Sequence, residues 1–389
     1  MVEKRTGHRE LQINGASYES QIATAPKAPS CQDPLQAIAV ARIAGVIALA
    51  GTAQYGGGPQ YQPKTTPMVM FVTGAAGFIG SHLVDRLLAQ GHRVIGVDNM
   101  IRGTRANIAT ALANPSFRFL EVDMANPQSI RTVLYPVFES LAEPVHTVWH
   151  LAANSDVAAG VADPGIDLKD TFQTTYETVA LMRAFDMKEL AFASTSAVYG
   201  NHPEQLVETL GPLLPISSYG AMKLASEAHI SAAAESHISQ TWLFRFPNVV
   251  GSRGTHGIIY DLLGKLLKNR EELEVLGDGS QKKPYLHVSD LIDAMLFIRG
   301  NATEKRALYN IGPEDDGVTV ASIAQAVLDA SKTGARLRYT GGNRGWVGDV
   351  PRFYYSVEKL AKLGWRPSGS SAQAVSRAVA ELVVERGLI

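Results

Sequence analysis

The run Val69–Thr73 is short, apolar and rich in β-formers, and Gly74-Ala75-Ala76-Gly77-Phe78-Ile79-Gly80 follows it directly. A helical pattern over residues 81–90 comes next, with Leu83, Leu87 and Leu88 on one face and Gly91 as its stop. Residues 92–98 read as a second strand that ends in Asp98. Glycines between a strand and a helix constrain the fold more than any other feature of the chain. They permit a tight turn and a close approach of backbone to pyrophosphate, and the helix N-terminus adds N–H groups and the positive end of its dipole. A carboxylate at the end of the second strand accepts hydrogen bonds from the adenosine ribose and repels a 2′-phosphate, which favours NAD over NADP. Gly-x-x-Gly-x-x-Gly alone is a weak signal; the strand–turn–helix–strand–Asp context is what gives it meaning.

Further strand–helix units follow. Residues 117–123 read as strand, a helix starts near Pro127, and residues 147–151 form the next strand, ending in Ala152-Ala153. Small residues there let the chain pass close to a bound dinucleotide. A long helix over 168–185 and a strand over 190–193 continue the alternation. This predicts an α/β fold, a Rossmann-like doubly wound parallel sheet covered on both faces, whose ligands bind at the carboxyl ends of the strands. From about Val249 the alternation loosens into a glycine-rich loop over 251–257, a helix over 259–267 and a strand over 273–276. The expected organisation is therefore a Rossmann domain over 68–248 and 287–311, and a smaller mixed α/β substrate domain over 249–286 and 312–389. A length of 389 residues suits that division.

The strand over 190–193 runs into Ser194-Thr195-Ser196-Ala197-Val198-Tyr199-Gly200, and Tyr219-Gly220-Ala221-Met222-Lys223 follows. Tyrosine and lysine four apart share one face of a helix. A phenol of pKa about 10 is a poor base at neutral pH. A nearby ammonium and a positive nicotinamide ring stabilise the phenolate, so that it can take a proton from a sugar hydroxyl. Tyr-x-x-x-Lys arises often by chance; the hydroxyl cluster before it and the glycine turn upstream give it weight.

These pieces together resemble the extended short-chain dehydrogenase/reductase family, of the NAD-dependent epimerase/dehydratase type, and look most like the UDP-glucose 4-epimerase group. The likeness rests on the glycine turn, Asp98-Asn99, His150-Leu151-Ala152-Ala153, Ser194-Thr195-Ser196, Val198-Tyr199-Gly200 and Tyr219-x-x-x-Lys223. Arg245-Phe246-Pro247-Asn248, Gly277-Asp278-Gly279, the run from Tyr285 to Asp290 and the run from Gly345 to Pro351 agree with it. The resemblance implies Tyr219 as base, Lys223 as its partner and holder of the nicotinamide ribose, and Thr195, with Ser194 beside it, at the reacting sugar hydroxyl. It implies NAD contacts from Gly74, Gly77, Phe78, Ile79 and Gly80, from Asp98, Asn99, Asp123 and Met124, and from Leu151, Ala152 and Ala153. Asp123 would meet the adenine amine. Asn248, Lys283 and Arg344 would meet the sugar nucleotide, with Phe353 gating the sugar pocket. His287 and Tyr199 read as structural, and so does Tyr176, by default a core residue.

Dehydratase relatives resemble one another in carrying Thr-Asp-Glu where this chain has Thr195-Ser196-Ala197, and decarboxylase relatives usually carry a glutamate at the place of Ala197. Without those acids the resemblance implies 4-epimerisation of a UDP-hexose through a transient 4-keto sugar. Another nucleotide-sugar epimerase (uronic or N-acetylated), a 4-ketoreductase and a non-catalytic dinucleotide module stay as alternatives. One epimerase branch has a lysine beside the pyrophosphate where this chain has Ser155. A bulky Phe353 implies UDP-glucose and UDP-galactose rather than acetylated sugars. The resemblance also implies a homodimer, paired through helices near 168–185 and 219–234.

A net charge of -1 argues against nucleic acid or anionic membrane as partner. Cys31 is the single cysteine, so no intrachain disulfide forms, no Cys/His cluster has metal-ligand spacing, and a reducing cytoplasmic setting is expected. Residues 1–67 hold Gly56-Gly57-Gly58 and several prolines and read as a disordered extension. Its alanine-rich run over 35–53, broken by Arg42, is marginal against the roughly 20 apolar residues of a membrane span. Glu3, Glu10, Glu19 and Asp33 fit poorly with a transit peptide. Met68 stands just before the first strand and is the expected natural start. Sequencing the N-terminus of the native protein checks this; a chain beginning at Met1 removes it.

Overall fold

The computed structural model describes residues 66–342 and 355–388. Residues 1–65 of the expected extension, together with Arg344, the run from Gly345 to Pro351 and Phe353, lie outside the described residues.

β1 (Val69–Thr73) sends alternate side chains to opposite sides. Met70 and Val72 enter one core, Val69 and Phe71 the other. A strand buried on both faces reads as a continuous apolar run, as this one does. β1 is the centre of a seven-stranded sheet with β2 (Arg93–Asp98), β3 (Phe117–Glu121), β4 (Val145–His150), β5 (Glu189–Ala193), β6 (Gln240–Arg245) and β11 (Arg306–Asn310). The order is β11-β6-β5-β4-β1-β2-β3, and every neighbouring pair is parallel. The doubly wound sheet expected from the sequence is present. α1 (Phe78–Ala89) and α6 (Val288–Asn301) cover one face through Leu83, Leu87, Leu291 and Met295. α3 (Thr174–Ala184) and α4 (Ser218–Ala234) cover the other through Val179, Met182 and Ile230. α2 (Val157–Ala162) is a short helix after β4.

A third core lies beyond β6. α5 (Ile258–Lys268) buries Ile259, Leu262, Leu263 and Leu266, the spacing of one helix face. It packs with β8 (Glu272–Val275), α7 (Val320–Ser331) and α8 (Ser371–Glu385). The strands here pair in twos: β7 (Asn248–Val250) with β10 (Tyr285–His287) and β8 with β13 (Arg336–Tyr339) in parallel, β9 (Lys282–Lys283) with β12 (Val318–Thr319) antiparallel. The mixture of directions matches the expectation of a mixed α/β part.

The helix expected over 168–185 has two parts. Residues Leu168–Gln173 are π-helical, and the α-helix starts only at Thr174. Thr174, Thr175 and Thr178 each bond a backbone carbonyl three or four residues back. Such back-bonding bends helices. Tyr176 is 47% exposed, not a core residue. Among the described residues no helix is long and apolar enough to cross a membrane, and no group of His, Cys, Asp and Glu is placed to hold a metal ion.

Leu263 is fully buried at the centre of the third core. Leu263→Ala should lower stability by about 2–5 kcal/mol, read by urea denaturation. A loss below about 1 kcal/mol would mean that this core closes over the gap.

Candidate active site

The carboxyl ends of the central strands open on one cavity of about 1490 Å³. Pockets for single drug-sized ligands measure about 300–1,000 Å³, so this one is large enough for a dinucleotide with a second ligand beside it.

The glycine turn forms its floor. Gly74 has φ +71°, a conformation side chains rarely adopt, and a Cβ there would stand 2.9 Å from the Ala152 nitrogen. A Cβ on Gly80 would stand 1.9 Å from the Gly74 oxygen. Gly77 is the N-cap of α1 and has no side chain to cap it. The first-turn N–H groups, which have no intrahelical acceptor, therefore stay available to an anion. Phe78, Ile79, Asn99, Met124, Leu151 and Ala153 line the same cavity.

One hydroxyl joins the turn to the β4 loop. Thr73 Oγ1 accepts from the Leu151 and Ala152 nitrogens at 3.2 and 3.1 Å and lies 2.7 Å from His150 Nδ1. Its single hydrogen then goes to Nδ1, which leaves Nε2 protonated to donate to Thr175 Oγ1 at 3.0 Å. Burial, and then Lys223, hold the His150 pKa down to about 3, so the ring stays neutral.

Asp98 accepts from the Ala76 and Met100 nitrogens at 3.0 and 2.9 Å. Its pKa is raised by burial, against these N–H donors. It lines the cavity, as expected of the acid that ends the second strand. Asp123 does not line it, though its neighbours Val122 and Met124 do. The Asp123 carboxylate takes the Ala125 nitrogen at 3.0 Å and lies 3.3 Å from Lys169 Nζ.

α4 begins at a Ser217 cap that accepts from the Gly220 nitrogen at 3.1 Å. A Cβ on Gly220 would stand 2.7 Å from the Ala197 oxygen, so the helix lies directly on the loop after β5. This brings Tyr219 to Thr195, and the two side chains hydrogen-bond. Burial raises the Tyr219 pKa, the Thr195 bond lowers it and Asp167 raises it further. Lys223 is 2% exposed and donates to the Ala193 oxygen at 2.6 Å. Burial pulls its pKa down to about 7, against Glu227 and Asp167. Its Nζ lies 5.9 Å from the Tyr219 ring centre.

Ser194 lines the cavity beside Thr195. Its hydroxyl donates to Glu227 Oε1 at 2.5 Å. Glu227 is also gripped by Arg245, Nε to Oε1 at 2.9 Å and Nη2 to Oε2 at 2.6 Å, with both side chains buried. The guanidinium lies 4.8 Å from the Tyr199 ring centre, and Tyr199 Oη donates to Asn310 Oδ1 at 2.8 Å. Tyr199 is thus a packed structural residue. His287 also binds structure, 3.2 Å from Glu381 Oε2.

Asn248 and Lys283 line the far end of the cavity. Gln281, beside them, escaped sequence reasoning. It is 3% exposed, and neither amide atom has a partner among the described residues. Asp167 escaped as well. It is fully buried, its Oδ1 accepts from Asn154 Nδ2 at 2.8 Å, and it is hydrogen-bonded to Ser218, next to the base. A lone glutamine in a loop and an aspartate before a helix carry no signature, and only the fold brings residues 154, 167 and 218 together.

A glycine turn with Asp98 at the end of β2, sharing one cavity with Thr195, Tyr219 and Lys223, fits a dinucleotide-dependent enzyme. The chain belongs to the NAD dependent epimerase/dehydratase family, whose model matches residues 70–312, and NAD is its cofactor. It is similar to the UDP-glucose 4-epimerase of Lacticaseibacillus casei, 31% identical over 323 residues, which cover 77% of this chain and 92% of that one. It is 29% identical over 324 residues to that of Mycolicibacterium smegmatis, covering 80% and 97%. The solved UDP-glucose 4-epimerase of Thermus thermophilus, in complex with NAD, is 28% identical with a TM-score of 0.70, covering 83% of this chain and all of that one (100%).

The Glu227–Arg245 pair is buried and bidentate. Glu227→Ala leaves a buried guanidinium without its counter-ion and should cost about 3–5 kcal/mol of stability, measured by denaturant unfolding. A change under about 1 kcal/mol would show that water reaches Arg245 and replaces the carboxylate.

Proposed function

We propose that the chain interconverts UDP-glucose and UDP-galactose by epimerisation at C4, as a cytoplasmic homodimer. One observation carries the reading: Thr195, Tyr219 and Lys223 share the cavity of the glycine turn, and the strand end beside them holds Ser196 and Ala197 in place of acids. The Gly74–Gly80 turn, Asp98 and the N-terminus of α1 fit a dinucleotide, and bound NAD supplies reversible hydride removal at carbon. The chain's own residues do the rest. Thr195 Oγ1 orients the 4-hydroxyl, and Tyr219 Oη takes its proton. Because burial and Asp167 both disfavour the phenolate, the base depends on positive charge placed next to it. Lys223 supplies part of that charge; buried and bonded to the Ala193 oxygen, it is fixed in place.

The 4-keto sugar has no carboxyl group at residues 196 and 197 to move the protons of water loss. Reduction back to an alcohol is the open route, from either face once the sugar turns. Asn248, Lys283 and Gln281 at the far end supply remote binding that holds the nucleotide during that turn. The dimer reading has its support in Leu168, 56% exposed, and Tyr176, 47% exposed, large apolar side chains on the expected pairing helices.

The test is incubation of the protein with NAD and UDP-galactose while the anomeric protons are followed by NMR. UDP-glucose should grow without net NADH, and Tyr219→Phe should lower the rate by about 10²-fold or more. Unchanged UDP-galactose from a protein that holds NAD rejects these sugars and turns the search to uronic and acetylated ones.

A further inference from the structure

In the sheet β1 lies between β2 and β4, so the loops after β2 and β4 flank the glycine turn on its two sides. Arg102 stands on the first loop and Asp156 on the second, and the two are ion-paired. The pair therefore crosses the carboxyl end of β1, above the helix N-terminus where a dinucleotide's pyrophosphate belongs.

Both anchors are fixed. On the Arg102 side, the Thr104 nitrogen and Asn107 Nδ2 donate to the Ala76 oxygen at 3.1 and 3.0 Å. Gly103 is packed so tightly that a Cβ there would stand 2.7 Å from Asp98 Oδ1. On the other side, Asp156 caps α2 by accepting from the Ala159 nitrogen at 3.0 Å, and its own nitrogen donates to Asn154 Oδ1 at 2.9 Å. The charged heads span the gap between the two anchors at the cavity's rim.

Charge then decides what the span is for. A pyrophosphate brings two negative charges, and the glycine turn offers N–H groups but no formal charge. Among the described residues before Lys223 that line the cavity, Arg102 is the only lysine or arginine. His256 stands near the pair, but burial and then Arg102 hold its pKa below the usual range, so it adds no cation. The ion pair itself is half-exposed, at 42% and 34% for the two side chains, and such pairs bind weakly. A pyrophosphate, with one negative charge on each phosphate and several acceptor oxygens, competes with one carboxylate for the guanidinium and offers it bidentate pairing.

We propose that Arg102 is the cation that neutralises the pyrophosphate of NAD, and that Arg102 and Asp156 form a strap which parts to admit the cofactor and re-forms as it leaves. The inference rests on NAD as the cofactor and is independent of which sugar is turned over.

The experiment measures binding to cofactor-stripped protein. Arg102→Met should weaken NAD and ADP-ribose about tenfold, the loss of one charge-assisted hydrogen bond, and leave adenosine, which has no phosphate, bound as before. Asp156→Asn keeps an oxygen for the helix cap but releases Arg102. It should bind NAD more tightly than the parent and take it up faster in a stopped-flow assay, because no pair has to break first. Equal weakening of adenosine and NAD by Arg102→Met would mean that the loop has collapsed, and no weakening of NAD would mean that Arg102 does not meet the phosphates; either overturns the assignment of the cation. An unchanged association rate in Asp156→Asn overturns the strap. Sugar turnover does not enter these readouts, so their failure leaves the epimerase reading standing, and its failure leaves them standing.

Discussion

At Gly80 the first turn of α1 presses on the turn that precedes it: a methyl there would stand 1.9 Å from the Gly74 oxygen. Gly74 in turn presses on Ala152, beyond β4. Three backbone segments meet there without side chains between them. That contact sets where α1 begins, how near the β4 loop lies, and how open the N–H groups of the helix end remain. The strand order follows the same centre, because β1 lies in the middle and the loops of both neighbours converge on it. Thr73 reinforces the arrangement by holding the Leu151 and Ala152 nitrogens, with a neutral His150 behind it. The cofactor cavity is therefore a product of backbone packing first and of side-chain chemistry second.

The catalytic side is organised differently, around a buried charge. Glu227 bonds Ser194 at the end of β5 and Arg245 at the end of β6. Arg245 lies against Tyr199, which reaches Asn310 on β11. Three strand ends are thus tied to α4, the helix that carries Tyr219 and Lys223. A buried pair of this kind costs desolvation and contributes orientation rather than net stability. Its second effect is electrostatic: Glu227 favours the charged form of Lys223, which burial alone would neutralise. The same carboxylate that fixes the helix also keeps the ammonium within reach of protonation at neutral pH.

The glycine turn, the alternation of strand and helix, and the Tyr-x-x-x-Lys spacing are local patterns, and each was legible because its meaning lies within a few residues. The parallel, doubly wound sheet followed from them, while its strand order comes from the structure alone. The features that stayed hidden depend on distance in the fold. Ser194 resembles a substrate contact in sequence, yet its hydroxyl turns inward because Glu227 comes from a helix over thirty residues later. Asp123 sits at the expected strand end, but Lys169 lies beside it and the cavity wall is made by its neighbours. The stretch Leu168–Gln173 has apolar spacing close to helical, and nothing in that spacing distinguishes a π-turn from an α-turn. Tyr176 is apolar enough for a core, but only the placement of α3 shows that its face is left open.

The outcome of the chemistry is set as much by absent groups as by present ones. A hydroxyl, a phenol and an ammonium suffice to move the proton of one sugar hydroxyl. Elimination of water needs further proton shuttles, and at this strand end the backbone leads from Thr195 into Ser196 and Ala197, which have none to offer. The short helix Ser196–Tyr199 is held by the Thr195 cap and by Tyr199 in the buried network, so these positions are structurally committed. In the other part of the cavity, to which the proposed function assigns the nucleotide, Gln281 is buried with its amide unmatched among the described residues. A buried amide without a partner is costly, and a ligand that supplies both a donor and an acceptor recovers that cost on binding. Under the proposed function, reaction type and nucleotide binding are thus written in different places: the first in the loop that leaves β5, the second around β8 and β9.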